Sequence, residues 1–321
     1  MIEDLISKYT VQKPRLFLFG GCDLWDSTNV KLIRDSYYID KYAFNTNKDA
    51  SLNVNNKFQE STSLISLYSK PGSVAERVQD TLYSLDKLEY HHVLASEQVM
   101  KYDYIEFFRR HVGPNDILLL NFTNDLYTKF RRGSECFSIL PQLMPIAKPS
   151  DPLYWLFDEY IKHDFYHSCF DDKDSLNETT EALRDFAKDI YSIFQDRVIL
   201  VKFHLSNLIY HGSIDNVKQL NWSCNSEIPF YKTTKIMIDP TDHSYAKRCA
   251  NLILERFRIF YKADLPIIEL EDHECFIDPC HRHGLAPLHL HPVTTEKLGY
   301  KIYEELTKLT ERIEKNNAPV V

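Results

Sequence analysis

Five short apolar runs, separated by longer amphipathic stretches, constrain the fold of this chain most strongly. Each run has the length of a buried strand and is rich in leucine, β-branched or aromatic residues. The runs are RLFLFG (15–20), SYYIDKYAF (36–44), NDILLLNF (115–122), RVILVKF (197–203) and LPIIEL (265–270). Because near-continuous apolar strands are typical of sheets that are covered on both faces, the pattern predicts a central parallel sheet.

Amphipathic stretches between and after these runs predict helices. They cover residues 73–88, 95–112, 151–163, 176–194, 242–261 and 294–313. Strands that alternate with helices favour right-handed crossovers and therefore a three-layer α/β fold. The segment at about 205–235 has little periodicity and is predicted to be an insertion. Since the chain has no Pro/Gly-rich linker, we expect one domain over residues 1–321.

Charge and composition disfavour several classes of partner. The 321 residues carry a formal net charge of −8 and no run rich in Lys or Arg, which argues against a nucleic-acid or anionic-membrane surface. The sequence has no stretch approaching 18 apolar residues and no apolar leader, so we expect a cytoplasmic protein without a transmembrane segment. The seven cysteines are odd in number and scattered, as expected for reduced thiols.

One group of residues near the C-terminus raises the question of zinc. It consists of His273, Cys275, Cys280, His281 and His283. Its spacing matches none of the standard paired ligand motifs of zinc sites. We therefore expect no bound metal.

Ligands in open α/β sheets bind at the carboxyl ends of the strands, so the residues that follow the apolar runs are the candidate site. Gly20, Gly21 and Cys22 follow the first run. Glycine permits a sharp turn and a close approach of a substrate to the backbone, which would expose Cys22 at the mouth of the sheet. The alternative is a buried cysteine that packs as a small apolar side chain.

Two further strand ends carry polar residues. Asn124 follows the third run, and its amide could donate a hydrogen bond to an oxyanion or simply stabilise a turn. Asp278 and His281 are three positions apart, close enough for a carboxylate to orient an imidazole. His289 and His291 alternate further along, so they share one side if that segment is extended. A thiol, an amide donor and a His/Asp pair are together what acyl transfer through a covalent intermediate requires.

These motifs, in this order, resemble the SGNH (GDSL-like) hydrolase superfamily. Gly20-Gly21-Cys22 stands where that family has G-D-S, the segment 121–125 stands for G-x-N-D, and the segment 278–281 matches D-x-x-H. The stretch 281–290, HRHGLAPLHL, is similar to the terminal motif of an SGNH-like branch of bacterial polysaccharide-biosynthesis proteins. This last match is the most specific one in the chain.

The resemblance implies a three-layer flavodoxin-like fold and a defined set of site residues. Cys22 would be the nucleophile in place of the usual serine, and Gly21 and Asn124 would form the oxyanion hole. Asp278 would orient the general base, for which His281, His289 and His291 remain alternatives. Cysteine in place of serine, and Asn121 in place of a glycine, are the departures from the family pattern.

The function that this reading favours is O-acetyl transfer from acyl-CoA to a sugar hydroxyl of a bacterial surface glycan or its precursor. Acyl-CoA would be a substrate, and no cofactor would be bound permanently. An esterase or deacetylase that uses water as the acceptor is the first alternative. The second is a glycan-binding protein without catalysis, in which Trp25 and Trp222 could stack on sugar rings.

Overall fold

The structure is a computed structural model. The part of the chain that it describes comprises residues 13–39, 43–44, 54–55, 64–87, 89, 92, 95–96, 101, 104–126, 129–132, 135–138, 148–156, 165–166, 173–202, 204–213, 215–219, 243–280 and 289–317.

Short strands and helices alternate along the described residues. The strands are β1 (Arg15–Phe19), β2 (Tyr38–Ile39), β3 (Ala43–Phe44), β4 (Val54–Asn55), β5 (Ile117–Leu120), β6 (Lys129–Arg132), β7 (Glu135–Ser138), β8 (Phe165–Tyr166), β9 (Val198–Val201), β10 (Leu208–Tyr210), β11 (Val217–Gln219) and β12 (Ile267–Ile268). The helices are α1 (Cys22–Thr28), α2 (Lys31–Ser36), α3 (Leu64–Leu67), α4 (Ser73–Tyr83), α5 (Tyr104–His111), α6 (Lys173–Phe194), α7 (His243–Phe260) and α8 (Pro292–Asn317). Short 3-10 turns cover Thr123–Leu126 and Asp272–Glu274.

The central sheet has five strands in the order β2-β1-β5-β9-β12, and all of its pairs are parallel. Counted along the chain, this order is 2-1-3-4-5, which is the order of flavodoxin-like doubly wound sheets. Each strand comes from one of the five apolar runs. The predicted α/β class and the central parallel sheet are therefore confirmed.

Successive strand residues point to two separate cores. Phe17 and Phe19 pack with α5, α6 and α7 on one face of the sheet, whereas Leu16 and Leu18 pack with α1, α2 and α8 on the other. Because side chains alternate across a strand, a fully apolar strand can supply both cores at once. Helices on both faces are compatible with the predicted three layers.

Helix α8 runs from the carboxyl edge of the sheet to its amino edge. Near its start, the Lys301 ammonium donates to the carbonyl of Glu269, just beyond β12. Near its end, Thr310 shares a 2.9 Å hydrogen bond with the Tyr37 hydroxyl, just before β2. Helix α1 also starts at the carboxyl edge, because it follows β1 directly. The two helices therefore run in the same direction.

Helices α1 and α8 pack closely at Gly299. A Cβ at this position would lie 2.5 Å from the carbonyl oxygen of Ser27, so only glycine fits. Gly299 is the eighth residue of α8, and Ser27 is the sixth residue of α1. At about 1.5 Å of rise per residue, the two helices begin level to within about 3 Å along their axes.

Several predicted boundaries differ from the observed ones. The single strand predicted over 36–44 is wrong: β2 joins the central sheet, whereas β3 pairs antiparallel with β4. The polar pair Asp40-Lys41 interrupts this run directly after β2, and the prediction of one strand passed over that break. Helix α4 ends at Tyr83 rather than at residue 88, and α8 continues to Asn317.

Two antiparallel units were not predicted. Strands β6, β7 and β8 form a three-stranded sheet, and β10 pairs with β11 inside the predicted 205–235 insertion. These strands are only two to four residues long and lack apolar runs. Residues 220–235 of the insertion lie outside the described residues. Among the helices that the structure describes, none is long and apolar enough to cross a membrane.

Candidate active site

The carboxyl ends of β1 and β5 lie side by side at the centre of the sheet. The strand order reverses here, because β2 lies on one side of β1 and β5 on the other. In doubly wound sheets this switch point is where ligands bind. The two predicted strand ends that begin at Gly20 and at Asn121 therefore meet at one place.

Asn121 is the centre of a buried hydrogen-bond cluster at this point. Its side-chain oxygen Oδ1 accepts from the Gly21 N–H at 3.1 Å, from the Thr123 N–H at 3.3 Å and from the Thr123 hydroxyl at 3.0 Å. Its own N–H donates to the carbonyl of Phe19 at 2.9 Å. Both Asn121 and Thr123 are buried. Residues that follow β5 thus hold the turn that follows β1.

Position 20 requires a glycine because the Asn121 side chain of this cluster lies against its backbone. A Cβ at Gly20 would lie 2.0 Å from Asn121 Oδ1, a distance that no pair of heavy atoms tolerates. Gly21 is different, because its φ of −84° and ψ of 179° suit any residue. The first glycine of the pair is therefore required by a close approach, and the second is not required by its backbone conformation.

Cys22 is the first residue of α1, and Gly21 is the N-cap of that helix. The Gly21 carbonyl accepts from the Leu24 N–H at 3.1 Å, which closes the first turn. Asn124 lies in the 3-10 turn that follows β5. The side chains of Cys22 and Asn124 lie outside the described part of the structure. Their roles as nucleophile and oxyanion donor stay predictions.

The Gly21 N–H, the other predicted oxyanion donor, is engaged inside the protein. It donates to Asn121 Oδ1, as described above. A substrate oxygen could use this N–H only by sharing it with Asn121 or displacing it. The predicted oxyanion role of Gly21 stays a prediction, and it would need such a change.

Asp125, next to Asn124, has a structural contact. Its carboxylate is buried and Oδ1 accepts from the Leu64 N–H, at the start of α3, at 2.9 Å. A carboxylate that binds a backbone N–H at the start of a helix stabilises that helix. Asp125 therefore caps α3, and its neighbour Asn124 is the candidate amide donor.

The segment around Asp278 pairs with the segment around His289. The Asp278 N–H donates to the His289 carbonyl at 2.9 Å, and the His291 N–H donates to the Phe276 carbonyl at 2.7 Å. Ile277 and Leu290 form the antiparallel bridge between these two bonds. In this register Asp278 lies opposite His289, and Phe276 lies opposite His291. Opposite residues of an antiparallel pair have their side chains on the same face.

His281 lies outside the described residues, so its predicted pairing with Asp278 stays a prediction. Asp278 itself is half-buried, and its Oδ1 accepts from the Cys280 N–H at 2.8 Å. This bond closes an Asx turn that fixes the carboxylate against its own backbone. Within the pairing that the structure describes, His289 is the histidine directly opposite Asp278.

His291 is the residue immediately before α8, and it caps that helix. Its Nδ1 accepts from the Val293 N–H at 3.2 Å, and its carbonyl accepts from the Thr294 N–H at 2.8 Å. Because Nδ1 is an acceptor, the neutral ring carries its proton on Nε2. Partial burial lowers the pKa of His291, and the Asp278 carboxylate opposes that shift. His291 is therefore neutral at pH 7, with Nε2 as a donor rather than a base.

Tyr210 also lies in this region, although no motif or periodicity indicates it. Its ring centroid lies 4.9 Å from that of His291 and 5.3 Å from that of Phe276. The contact arises because β10 runs beside the segment around Ile277, with Ile209 and Ile277 in a parallel bridge. Tyr210 lies in the aperiodic insertion, where no pattern distinguishes it from a loop residue.

Cys22 is the first residue of α1 and His291 immediately precedes α8, so both lie at the starts of parallel helices at the same edge of the sheet. Their helices are in contact and start nearly level, as the packing at Gly299 requires. The described parts of the three predicted strand ends thus all lie at the carboxyl edge. A thiol, an amide, a carboxylate and imidazoles at such an edge form a set suited to acyl transfer.

The remaining cysteines of the described residues divide by exposure. Cys280 is exposed, whereas Cys136, Cys249 and Cys275 are buried. Among the described residues, no group of three or more His, Cys, Asp or Glu side chains is arranged to hold a metal ion. His281 and His283, two members of the group that raised the question of zinc, lie outside those residues.

No protein-family model, no curated protein and no solved structure matches this chain. The resemblance to SGNH hydrolases therefore depends on the motifs and their order.

Proposed function

We propose that this protein transfers acyl groups through a covalent intermediate on Cys22. The observation that carries the proposal is the position of Cys22, directly after a central strand at the switch point of a 2-1-3-4-5 sheet. The proposed reaction is O-acetyl transfer from acetyl-CoA to a sugar hydroxyl of a bacterial surface glycan or its precursor. Acetyl-CoA as the donor fits a protein that acts in the cytoplasm.

The proposed chemistry has two steps. A histidine takes the proton of the Cys22 thiol, the thiolate attacks the thioester carbonyl and a new carbon–sulfur bond forms. The bond to CoA then breaks, and the same histidine returns the proton so that CoA leaves as a thiol. The sugar hydroxyl then attacks the Cys22 thioester, loses its proton to a base and releases the thiol. The Asn124 amide and the Cys22 N–H are the proposed oxyanion donors. The Cys22 N–H takes the place expected for the Gly21 N–H, which is bonded to Asn121. Each such donor contributes about 2.7–4 kcal/mol in acyl transfer.

We assign the base to His289, oriented by Asp278. The pairing of the two segments supports this choice, since Asp278 lies directly opposite His289. His281 remains the alternative that the D-x-x-H motif favours. His291 is less suited to the role, because its Nδ1 caps α8 and its Nε2 carries the proton.

The second candidate function is glycan binding without catalysis. The engagement of the Gly21 N–H with Asn121 favours it, since one expected oxyanion donor is already used inside the protein. A chain that kept the fold and the turn but lost the reaction would retain this contact. The two functions differ in whether Cys22 ever carries an acyl group.

Incubation with acetyl-CoA followed by peptide mass spectrometry tests the proposal. We expect acetylation of Cys22 about tenfold or more faster than that of Cys280, because a positioned and activated thiol outpaces an exposed one. Cys280 serves as the internal control for uncatalysed thioester exchange. Cys22→Ala should abolish the fast phase and leave the Cys280 rate unchanged. Equal rates at Cys22 and Cys280 in the native protein would contradict the proposal.

The fate of the acetyl group separates the remaining functions. Faster loss of acetyl from Cys22 when a sugar acceptor is added supports the transferase. Loss into water at a rate that no acceptor changes identifies the esterase. Glycan affinity that survives Cys22→Ala, with no acetylation in the native protein, identifies the binding protein.

A further inference from the structure

We propose that Asn121 is a positioning residue that locks the Gly20–Gly21 turn and thereby fixes the place of Cys22. The family motif has a glycine where this chain has Asn121. The inference rests on the proposed function of Cys22, although the lock itself can be tested without acyl chemistry.

Several hydrogen-bond donors converge on one side-chain atom of Asn121. Three donors, two of them backbone N–H groups, point at Asn121 Oδ1 from both sides of the switch point. The atom is buried, and a buried acceptor with satisfied donors resists displacement because each broken bond leaves an unsatisfied polar group. The Gly21 N–H is therefore held at a fixed position relative to the end of β5.

The Asn121 side chain also fills the space beside Gly20. Asn121 Oδ1 and Cγ lie 2.0 and 2.7 Å from where a Cβ of Gly20 would be. The amide thus takes the space that any other residue at position 20 would need. The backbone at residues 20 and 21 cannot move towards β5 without displacing Asn121, so the turn is fixed by steric contact as well as by hydrogen bonds.

The turn that Asn121 holds lies directly before the proposed nucleophile. Gly21 is the residue before Cys22, so the lock fixes the start of α1 at the reacting residue. Misplacement of a reacting group by about 1 Å can cost on the order of 100-fold in rate. An amide oxygen provides the acceptor without a negative charge, and a negative charge near a cysteine disfavours its thiolate.

Asn121→Ser tests the lock, since a hydroxyl is too short to reach the Gly21 N–H. We expect hydrogen exchange at the Gly21 amide to rise about 100-fold relative to the Phe19 amide, because the bond to Oδ1 is lost. We expect the maximal rate of Cys22 acetylation to fall about tenfold or more, with a half-saturating acetyl-CoA concentration that changes less than about threefold. The Cys280 rate should not change.

Two further variants separate positioning from general stability. Tyr261→Phe removes a partly buried hydrogen bond, from the Tyr261 hydroxyl to the Gln195 carbonyl, at the amino edge of the sheet. It should change neither the Gly21 exchange nor the Cys22 acetylation rate. Asn121→Asp keeps an acceptor oxygen with the same reach, so it should keep the Gly21 amide protected.

The outcomes decide separately on the lock and on the proposed function. Unchanged Gly21 exchange in folded Asn121→Ser overturns the inference, as does a fall in acetylation that Tyr261→Phe reproduces. If Asn121→Ser does not fold, a freely exchanging Gly21 amide in Asn121→Asp overturns it, and failure of both variants to fold shows that Asn121 serves the fold alone. Absence of Cys22 acetylation in the native protein, together with the expected exchange results, refutes the proposed function and keeps the lock.

Discussion

The two edges of the β1–β5 strand pair are joined by different chemistry. At the amino edge, Asp116 accepts from the Arg15 guanidinium at 2.6 and 3.0 Å and from the Gly113 N–H at 2.6 Å. At the carboxyl edge, the neutral Asn121 binds Gly21 and Thr123. Both side chains are buried. The β1–β5 pair is thus held by charge-assisted hydrogen bonds at the edge opposite the candidate site. Beside the proposed nucleophile it is held by hydrogen bonds between uncharged groups.

The difference indicates that the two joins have different roles. Charge-assisted hydrogen bonds are stronger than neutral ones, so a carboxylate such as Asp116 is expected at an edge where the side chain serves stability alone. A carboxylate at the carboxyl edge would hold the turn equally well but would oppose ionisation of a nearby thiol. If this is the reason for Asn121, variants at the amino edge should change stability alone, and variants at the carboxyl edge should also change Cys22 chemistry.

Asp116→Ala should give the largest loss of stability. It leaves the partly buried Arg15 guanidinium and the Gly113 N–H without their carboxylate, so we expect the free energy of unfolding to fall by about 3 kcal/mol. Urea denaturation measures this loss. Glu106→Ala is the control, because its ion pairs with Arg109 and Arg110 are exposed, and we expect a change of about 0.5 kcal/mol or less.

The Cys22 acetylation rate of folded Asp116→Ala should equal that of the native protein. A loss of acetylation in this variant would show that the two edges are not separate. Equal losses of stability in Asp116→Ala and Glu106→Ala would show that the buried join contributes no more than a surface ion pair.

Gly20→Ala should affect both stability and Cys22 chemistry. Its methyl group overlaps Asn121 Oδ1, so we expect a loss of about 2 kcal/mol in urea denaturation and a slower acetylation of Cys22. Gly212→Ala is the matched control: Gly212 has a φ of +90° and open space around it. Its alanine variant should lose about 1 kcal/mol through backbone strain and keep the native acetylation rate. Equal acetylation rates in the two variants would argue against the lock.

The sequence predicts the features that are local along the chain, and it does not predict contacts between residues that are far apart in the chain. The apolar runs identified the central strands most clearly for β1, β5 and β9, because these strands are buried on both faces and that burial is recorded in the run itself. The two glycines and Cys22 stood out because they are consecutive in the sequence and directly follow the strand β1. The role of Asn121 could not be predicted, since its contact with Gly21 joins residues 100 positions apart. Without its contact to Gly21, Asn121 is recognisable in the sequence only as a departure from a family motif.

The choice of the proposed base shows the same limit. Spacing allowed three histidines, and only the register of two paired segments put His289 opposite Asp278 and assigned His291 to the cap of α8. Tyr210 is a stronger example, because a two-stranded hairpin brings it to the site from a segment without periodicity. Residues that reach the site through short irregular strands leave no pattern in the sequence.

Lys101 extends the comparison of charged and neutral polar groups to a third buried position. It is fully buried, and its ammonium donates to the Cys136 carbonyl. Burial lowers the pKa of Lys101 to about 7, although the charges of Cys136 and Glu135 oppose the shift. The unfolded chain, with an ordinary lysine, therefore binds more protons than the folded protein between about pH 7 and about pH 10.

The free energy of unfolding should rise with pH across that window, with a Lys101 contribution of at most about 1.4 kcal/mol per pH unit. Lys101→Met should remove this contribution, which urea denaturation at pH 7, 8 and 9 measures as a difference from the native protein. Lys308→Met, at an exposed position of α8, should leave the slope unchanged. The same slope in Lys101→Met and in the native protein would show that Lys101 does not titrate in this range.

The smallest expected effect concerns His291, whose ring we assign to capping and not to catalysis. His291→Ala should lower the free energy of unfolding by about 1 kcal/mol, because the Val293 N–H loses its acceptor, and His291→Asn should restore most of that loss. Because burial lowers the pKa of His291, the unfolded chain takes up a proton at a higher pH than the folded protein. The native protein should therefore lose stability as the pH falls below about 6.5, and His291→Asn should not show this part of the loss. Since asparagine can cap a helix but cannot act as a base, an acetylation rate reduced about tenfold or more in His291→Asn would transfer the catalytic role from His289 to His291.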